Sequence, residues 1–150
     1  MKEIHLTKSA EETQKIGEDI AKELRKVRPL KFSRSDLGAV VFGLKGDLGG
    51  GKTTFTQGFA KGLGIKDKIL SPTFVILKRF EIKDKQFKNF YHIDCYRLKN
   101  KKDLLELGFN EIISDPKSIV LIEWPEKILL KDAIIIEFEF VDENKRKIKY

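Results

Sequence analysis

Ala39-Val40-Val41-Phe42-Gly43-Leu44, followed by Gly46-Asp47-Leu48-Gly49-Gly50-Gly51-Lys52-Thr53, decides how this chain is read. The first run is nearly all apolar and short, as expected of a strand buried on both faces of a parallel sheet. The second satisfies G-x-x-x-x-G-K-[ST] at every fixed position. Glycines let the backbone curl until its N–H groups converge on a phosphate, where a Cβ would obstruct the approach. Lys52 supplies a point charge to the β- and γ-phosphates, and the Thr53 hydroxyl is a ligand for Mg²⁺. Thr53–Leu63 then reads as a helix closed by Gly64, with its positive end aimed at the same anion. With Gly at about 7% of residues, two fixed glycines recur by chance at about one position in 200, and the Lys-[ST] pair cuts that a further ~100-fold. Strand, loop and helix together predict nucleoside-triphosphate binding, with Asp47 to Thr54 forming the phosphate cradle.

Upstream, Ile4–Leu6 fits a short strand. Ser9 with Glu12 makes a capping box, after which Ile16, Ile20, Leu24 and Val27 fall on one helical stripe ending near Arg28-Pro29. Downstream, Phe74–Phe80 and Phe87–Asp94 are β-rich runs joined by Ile82–Gln86, which predicts an antiparallel hairpin. Asn100 can cap a short helix through Leu107, stopped by Gly108. Ile119–Ile122 is a second buried-strand run and Ala133–Val141 a third. Asp142-Glu143-Asn144 turns that strand into a Lys-rich last one. The expected fold is α/β: a P-loop NTPase-like three-layer sandwich with parallel central strands and antiparallel additions at the edges. At 150 residues, residues 1–150 are expected to form a single domain.

Composition narrows the classes. Hydrophobic residues make up 41% and charged ones 35%, which suits a soluble globular protein. No apolar run reaches a membrane-spanning length, and Met1–Lys15 lacks the apolar core of a secretory signal. Cys95 is the only cysteine, so no internal disulfide can form. A cytoplasmic location without membrane association is expected. The net charge of +7 arises from 24 Lys and only 6 Arg. Lys spread over every segment points to surface composition more than to a tuned nucleic-acid face, where Arg's fork is favoured.

Chemistry beyond phosphate grip needs an acid at a neighbouring strand end. Glu123 directly follows Ile119–Ile122, and Asp94 ends Phe90-Tyr91-His92-Ile93-Asp94. The period of two places His92, Asp94 and Tyr96 on one face and Tyr91, Ile93 and Cys95 on the other. His92 reads as a packed or hydrogen-bonded histidine, with no second His or Cys pair nearby to suggest zinc. Ser71-Pro72-Thr73 lies where nucleotide switches carry a γ-phosphate-sensing threonine, although the isolated tripeptide reads first as a turn. Trp124-Pro125 is either a stacking surface or a loop anchor. Asn100-Lys101-Lys102-Asp103 spells the guanine-reading N-K-x-D, but it directly follows Arg97-Leu98-Lys99 and not a buried strand, no well-placed D-x-x-G lies between it and the P-loop, and helix capping explains it better. Between the P-loop helix and Glu123 the only arginines are Arg79 and Arg97, and no arginine finger stands out.

Taken together, Gly46–Phe55, Ser71-Pro72-Thr73-Phe74, His92-Ile93-Asp94-Cys95-Tyr96-Arg97-Leu98 and Glu123-Trp124-Pro125 strongly resemble the TsaE family of bacterial tRNA threonylcarbamoyladenosine (t⁶A) biosynthesis. Departures are small: Gly50 stands where that family usually has Ala, and the C-terminus is short. The resemblance implies an ATPase that binds ATP and Mg²⁺ and hydrolyses slowly alone. It also implies action with the transferase TsaD and its partner TsaB on adenosine 37 of tRNAs reading ANN codons, with tRNA contact possible through that complex. Carried over by position, Lys52 holds phosphates and is catalytic with Asp94 and Glu123. Thr53 and Glu123 hold the metal, Thr73 lies in a switch-like loop, and Trp124 lies beside the nucleotide. The rivals are a small-molecule or nucleoside kinase, for which no Arg-rich lid is present, and a GTP-dependent switch using Asn100–Asp103.

Overall fold

In the computed structural model, which describes residues 2–26, 38–70, 76–128, 130 and 132–150, the two all-apolar runs lie side by side at the centre of a sheet. Strand β2 (Val40–Gly46) pairs in parallel with β5 (Ser118–Glu123) on one side and with β6 (Ile134–Phe140) on the other. Every residue of β5 is buried, including Ser118 and Glu123 at its ends, as the apolar run Ile119–Ile122 requires when helices cover both faces. Strand β4 (Asn89–Asp94) runs parallel to β5, and β3 (Leu77–Glu81) closes that edge antiparallel to β4. On the far side, β7 (Arg146–Lys149) folds back antiparallel on β6, and β1 (Ile4–Thr7) adds antiparallel to β7. The seven strands are ordered β1-β7-β6-β2-β5-β4-β3. Beyond β1 the ladder continues: Glu3 and Tyr150 exchange backbone hydrogen bonds of 2.6 and 3.0 Å.

Helices α1 (Ala10–Lys26) and α2 (Lys52–Gly62) cover one face. Helix α1 contributes Ile20, Ala21 and Leu24 to this core, and α2 contributes phenylalanines that meet those of the sheet. Phe42, Phe55, Phe59 and Phe90 are fully buried, with ring centroids 5.2 Å apart for Phe42–Phe59 and 5.8 Å for Phe59–Phe90. Each such burial contributes about 1.5–3 kcal/mol. Helices α3 (Lys101–Leu105) and α4 (Phe109–Ser114) cover the other face over Ile93, Val120 and Ile122. Three layers result, with the parallel strands at the centre, as the sequence predicts.

Local signals fare unevenly. Ser9 Oγ accepts from the Glu12 N–H at 3.1 Å, and the Glu12 carboxylate reaches back to the Lys8 N–H at 2.7 Å, one residue earlier than a capping box requires. Val27 and Arg28-Pro29 lie outside the described residues, as do Phe74 and Val75 of the first hairpin strand. Phe87 is a loop residue and not part of β4, because Asp84 gathers the N–H groups of Gln86 and Phe87 into a turn held by Arg25. Gly108 does not simply end the helix that Asn100 starts. Helix α3 stops at Leu105, and Gly108, with φ 82°, turns the chain left-handed into α4, an element too short to show periodicity.

The two covering helices are closer than their side-chain stripe suggests. A Cβ on Gly58 would sit 1.9 Å from the Gln14 carbonyl oxygen, and one on Gly17 would sit 2.3 Å from that of Phe55. Glycine is required at both positions by the neighbouring backbone, and this contact presses the start of α2 against α1.

Candidate nucleotide-binding site

The phosphate loop leaves the carboxyl end of β2, and its conformation depends on residues that tolerate φ > 0. Gly49 and Gly51 have φ of 76° and 98°. Gly51 is the N-cap of α2 and offers no side chain to the helix, so the first N–H groups of α2 have no side-chain cap. The loop's carbonyls have partners of their own. Lys52 Nζ donates to the Gly46 carbonyl, and to that of Asp47 at 2.8 Å. Asp47 also accepts from the Gly50 N–H at 3.0 Å. With carbonyls held and an uncapped helix start behind, the loop fits an anion by its own donor set.

A cavity of about 740 Å³ opens over this loop, lined by Leu48 to Thr54 together with Asp94, Glu123 and Trp124. Parallel register explains the convergence. Asp94 and Glu123 are direct partners on β4 and β5, and Glu123 is the partner of Leu44 on β2, so both acids stand at the strand ends beside the loop. Asp47 is exposed and its side chain lies off the cavity; its carbonyl is what it gives the site. Leu48 is on the cavity wall and 68% exposed. Thr73 lies outside the described residues.

Electrostatics differ between the charged groups. Burial pulls the Lys52 ammonium below the ordinary lysine value, against the opposing pull of Glu123, Asp47 and Asp94. Its Nζ also lies 4.5 Å from the centroid of the Trp124 ring, a cation–π contact. Asp94 is pushed above the ordinary carboxylate value, mainly by burial, while the Tyr96 N–H that it accepts at 2.9 Å works the other way. Glu123 is 3% exposed, and His92 Nε2 lies 3.1 Å from its Oε2. Cys95 is pushed up to about 12 by burial and the nearby carboxylates, which excludes a thiolate nucleophile.

For a metal, the chain presents Thr53, Glu123 and Asp94 around the cavity, and among the described residues no group of three or more His, Cys, Asp or Glu converges. That set is too sparse for a cage made of protein alone. It fits Mg²⁺, which is held by one or two carboxylates and completed by phosphates and water. Trp124 has φ 58° and ψ 53°, an unusual backbone for a bulky residue, held by its N–H to the Leu44 carbonyl at 3.2 Å and by buried Pro125 next to it. Pro125 is buried and anchors the loop, and Trp124 lines the cavity.

Arg97 and Arg146 both line the cavity. Arg146 was missed because it comes from β7, and its Nε donates to the Gly49 carbonyl at 3.0 Å across a separation of 97 residues. Ser9, Ala10 and Thr13 of the α1 start also form part of the wall, a juxtaposition that no local signal carries. Asn100 and Asp103 do not line the cavity; Asn100 Oδ1 accepts the Asp103 N–H at 3.3 Å, the capping contact expected of it.

The family model described as "Threonylcarbamoyl adenosine biosynthesis protein TsaE" matches residues 7–148. The chain belongs to the TsaE family. A TsaE protein of Aquifex aeolicus is 36% identical over 151 residues, covering 99% of this chain and 95% of the relative. That of Rickettsia felis is 43% identical over 107 residues, 69% of this chain and 60% of the relative. All are described as tRNA threonylcarbamoyladenosine biosynthesis proteins. The crystal structure of Bacillus subtilis YdiB superposes with a TM-score of 0.71 at 30% identity, over 99% of this chain and 84% of YdiB. No helix among the described residues is long and apolar enough to cross a membrane.

Proposed function

We propose that this TsaE-family chain is a Mg²⁺-dependent ATPase that serves t⁶A formation at adenosine 37 of tRNA, acting with the TsaD–TsaB transferase complex. The observation that carries the reading is the meeting of Lys52, Asp94 and Glu123 around one cavity above a complete phosphate loop. The names of its relatives supply the pathway.

In this reading the α2 start and the Gly49–Gly51 backbone grip the phosphates, and Lys52 turns its ammonium from the loop carbonyls towards them. Thr53 and Glu123 hold Mg²⁺, with His92 fixing the Glu123 carboxylate. When bound, the ion neutralises charge developing on the β- and γ-phosphate oxygens. Asp94, the less buried acid, orients the attacking water. Thr73 senses the γ-phosphate, and Trp124 walls the nucleotide. Arg146 is committed by Nε and Nη1 to the carbonyls of Gly49, Asp142 and Lys145, and Arg97 is exposed at the rim. Neither is set as a finger, a group worth about 10³–10⁵ in rate in related chemistry. Slow turnover alone follows, and a docked partner that dries the rim would raise it.

The test is steady-state hydrolysis of ATP and GTP by the pure protein, with and without TsaD–TsaB from the same cell. ATP preference and acceleration by the complex are expected. Equal rates with no co-elution would leave a stand-alone ATPase or kinase.

A further inference from the structure

The β6–β7 hairpin has no part in phosphate-loop chemistry as read from the sequence, yet one of its side chains is bonded into the loop. Arg146 extends from β7, passes its stem alongside Gly51 (Cγ 3.5 Å from an ideal Cβ, ordinary van der Waals contact), and donates Nε to the Gly49 carbonyl at 3.0 Å. The other face of that same peptide, the Gly50 N–H, donates to the Asp47 carbonyl at 3.0 Å. The Gly49–Gly50 peptide plane is thus pinned on both sides. This matters most at glycines, because Gly49 and Gly50 have no Cβ to bias them and a free peptide plane between them can flip at little cost.

Arg146 is itself held. Its Nη1 donates to the Asp142 carbonyl at 2.5 Å and the Lys145 carbonyl at 2.9 Å, and its guanidinium carbon lies 4.7 Å from the Phe140 ring centroid. Three carbonyls and an aromatic face are a pattern that a planar fork can satisfy and a point ammonium cannot.

We infer that Arg146 is a positioning residue for the phosphate loop: from the β6–β7 hairpin it fixes the Gly49–Gly50 peptide so that the Gly49 carbonyl is held by the guanidinium and not turned towards the nucleotide. The inference rests on the nucleotide-binding reading above. Its worth to affinity is pre-organisation, since a loop already in the binding conformation loses less freedom on binding.

Arg146→Lys keeps the charge and the stem and removes the fork. Two measurements on the full chain decide the matter, with Lys52→Ala as control for the underlying reading. In amide exchange without nucleotide, Gly50 should exchange about tenfold faster or more in Arg146→Lys, while amides of β2 and β5 keep their rates. In titration with Mg·ATP, Arg146→Lys should bind about tenfold more weakly, and Lys52→Ala more weakly still. Unchanged Gly50 exchange with weakened binding would overturn the inference in favour of direct ligand contact. Parent-like exchange and affinity would also overturn it. If Lys52→Ala binds normally, the nucleotide reading fails, while the exchange result still reports on the latch. Arg146→Gln, which can make one of the three bonds, repeats the test should the Lys variant fold poorly.

Discussion

His92 Nε2 and Glu123 Oε2 are 3.1 Å apart, and the two side chains are 1% and 4% exposed. A buried carboxylate oxygen has few partners to choose from, and this imidazole is the one Glu123 has by geometry. His92→Ala should leave that oxygen unsatisfied, a cost of about 1–3 kcal/mol. It should also raise the Mg²⁺ concentration needed for half-maximal hydrolysis by about 10–100-fold, the usual penalty for losing the group that orients a metal-binding side chain. Melting curves and Mg²⁺ titrations check both. An unchanged Mg²⁺ requirement would mean that His92 serves packing alone.

Asp94 should show a conflict between stability and activity. Its folded-state acidity is weakened, chiefly by burial, so the folded chain holds this proton more tightly than the unfolded one. Stability from this group is fully present below the ordinary Asp value and is lost as pH rises through the higher folded-state one. Asp94→Asn, whose amide oxygen can still accept from Tyr96, should therefore melt at or above the parent temperature at pH 7. Hydrolysis should fall by about 10²-fold or more, the scale of lost general-base assistance. A variant both less stable and fully active would refute the assignment.

Lys52 should give nucleotide affinity an alkaline limit. The charged ammonium grips phosphate, and burial lowers its folded-state value below 10.5. Affinity for Mg·ATP should be flat near neutrality and begin to fall before pH 10.5. The nucleotide-free protein should behave oppositely: the unfolded chain holds the extra proton in that window, so this group's contribution to stability grows with pH. Lys52→Arg, always charged, should bind more weakly at pH 7 but lose the alkaline limit in a calorimetric pH series.

Gly58→Ala sets two effects against each other. Helix propensity favours Ala by about 1 kcal/mol. The new Cβ, however, would lie 1.9 Å from a backbone oxygen of α1, so the helices must separate. Overpacking of this kind typically costs about 1–3 kcal/mol, occasionally more, and here there is no flexible side chain to yield. A net loss of up to about 2 kcal/mol is expected, or a melting point lower by up to roughly 4–8 °C. A rise in melting temperature would show that α1 can move freely from α2.

The parallel centre was legible because β2 and β5 are apolar without alternation, a pattern that only double-sided burial explains. The phosphate loop was legible because its chemistry is local. What escaped was relational. The ends of β4 and β5 were visible as Asp94 and Glu123, but nothing in either run says that they are register partners or that His92 reaches across to Glu123. Arg146 looked like one cation among many in a Lys-rich strand, since its partner is 97 residues away. Gly17 and Gly58 carry no periodic signal, and they are points where the two helices touch. Gly108 was recognised as a helix stop, but the short element after it shows no period.

The pairing of β1 with β7, and the exchange of hydrogen bonds between Glu3 and Tyr150, has a consequence for the birth of the molecule. Ile4–Thr7 leaves the ribosome well before Arg146–Lys149, the strand beside which it takes its place in the sheet. At about 5–20 residues per second, the interval is roughly 7–30 s. Throughout it, α1 can dock on α2 as soon as Gly62 emerges, while β1 waits on the growing chain with Ile4 and Leu6 open to any binder of nascent apolar segments.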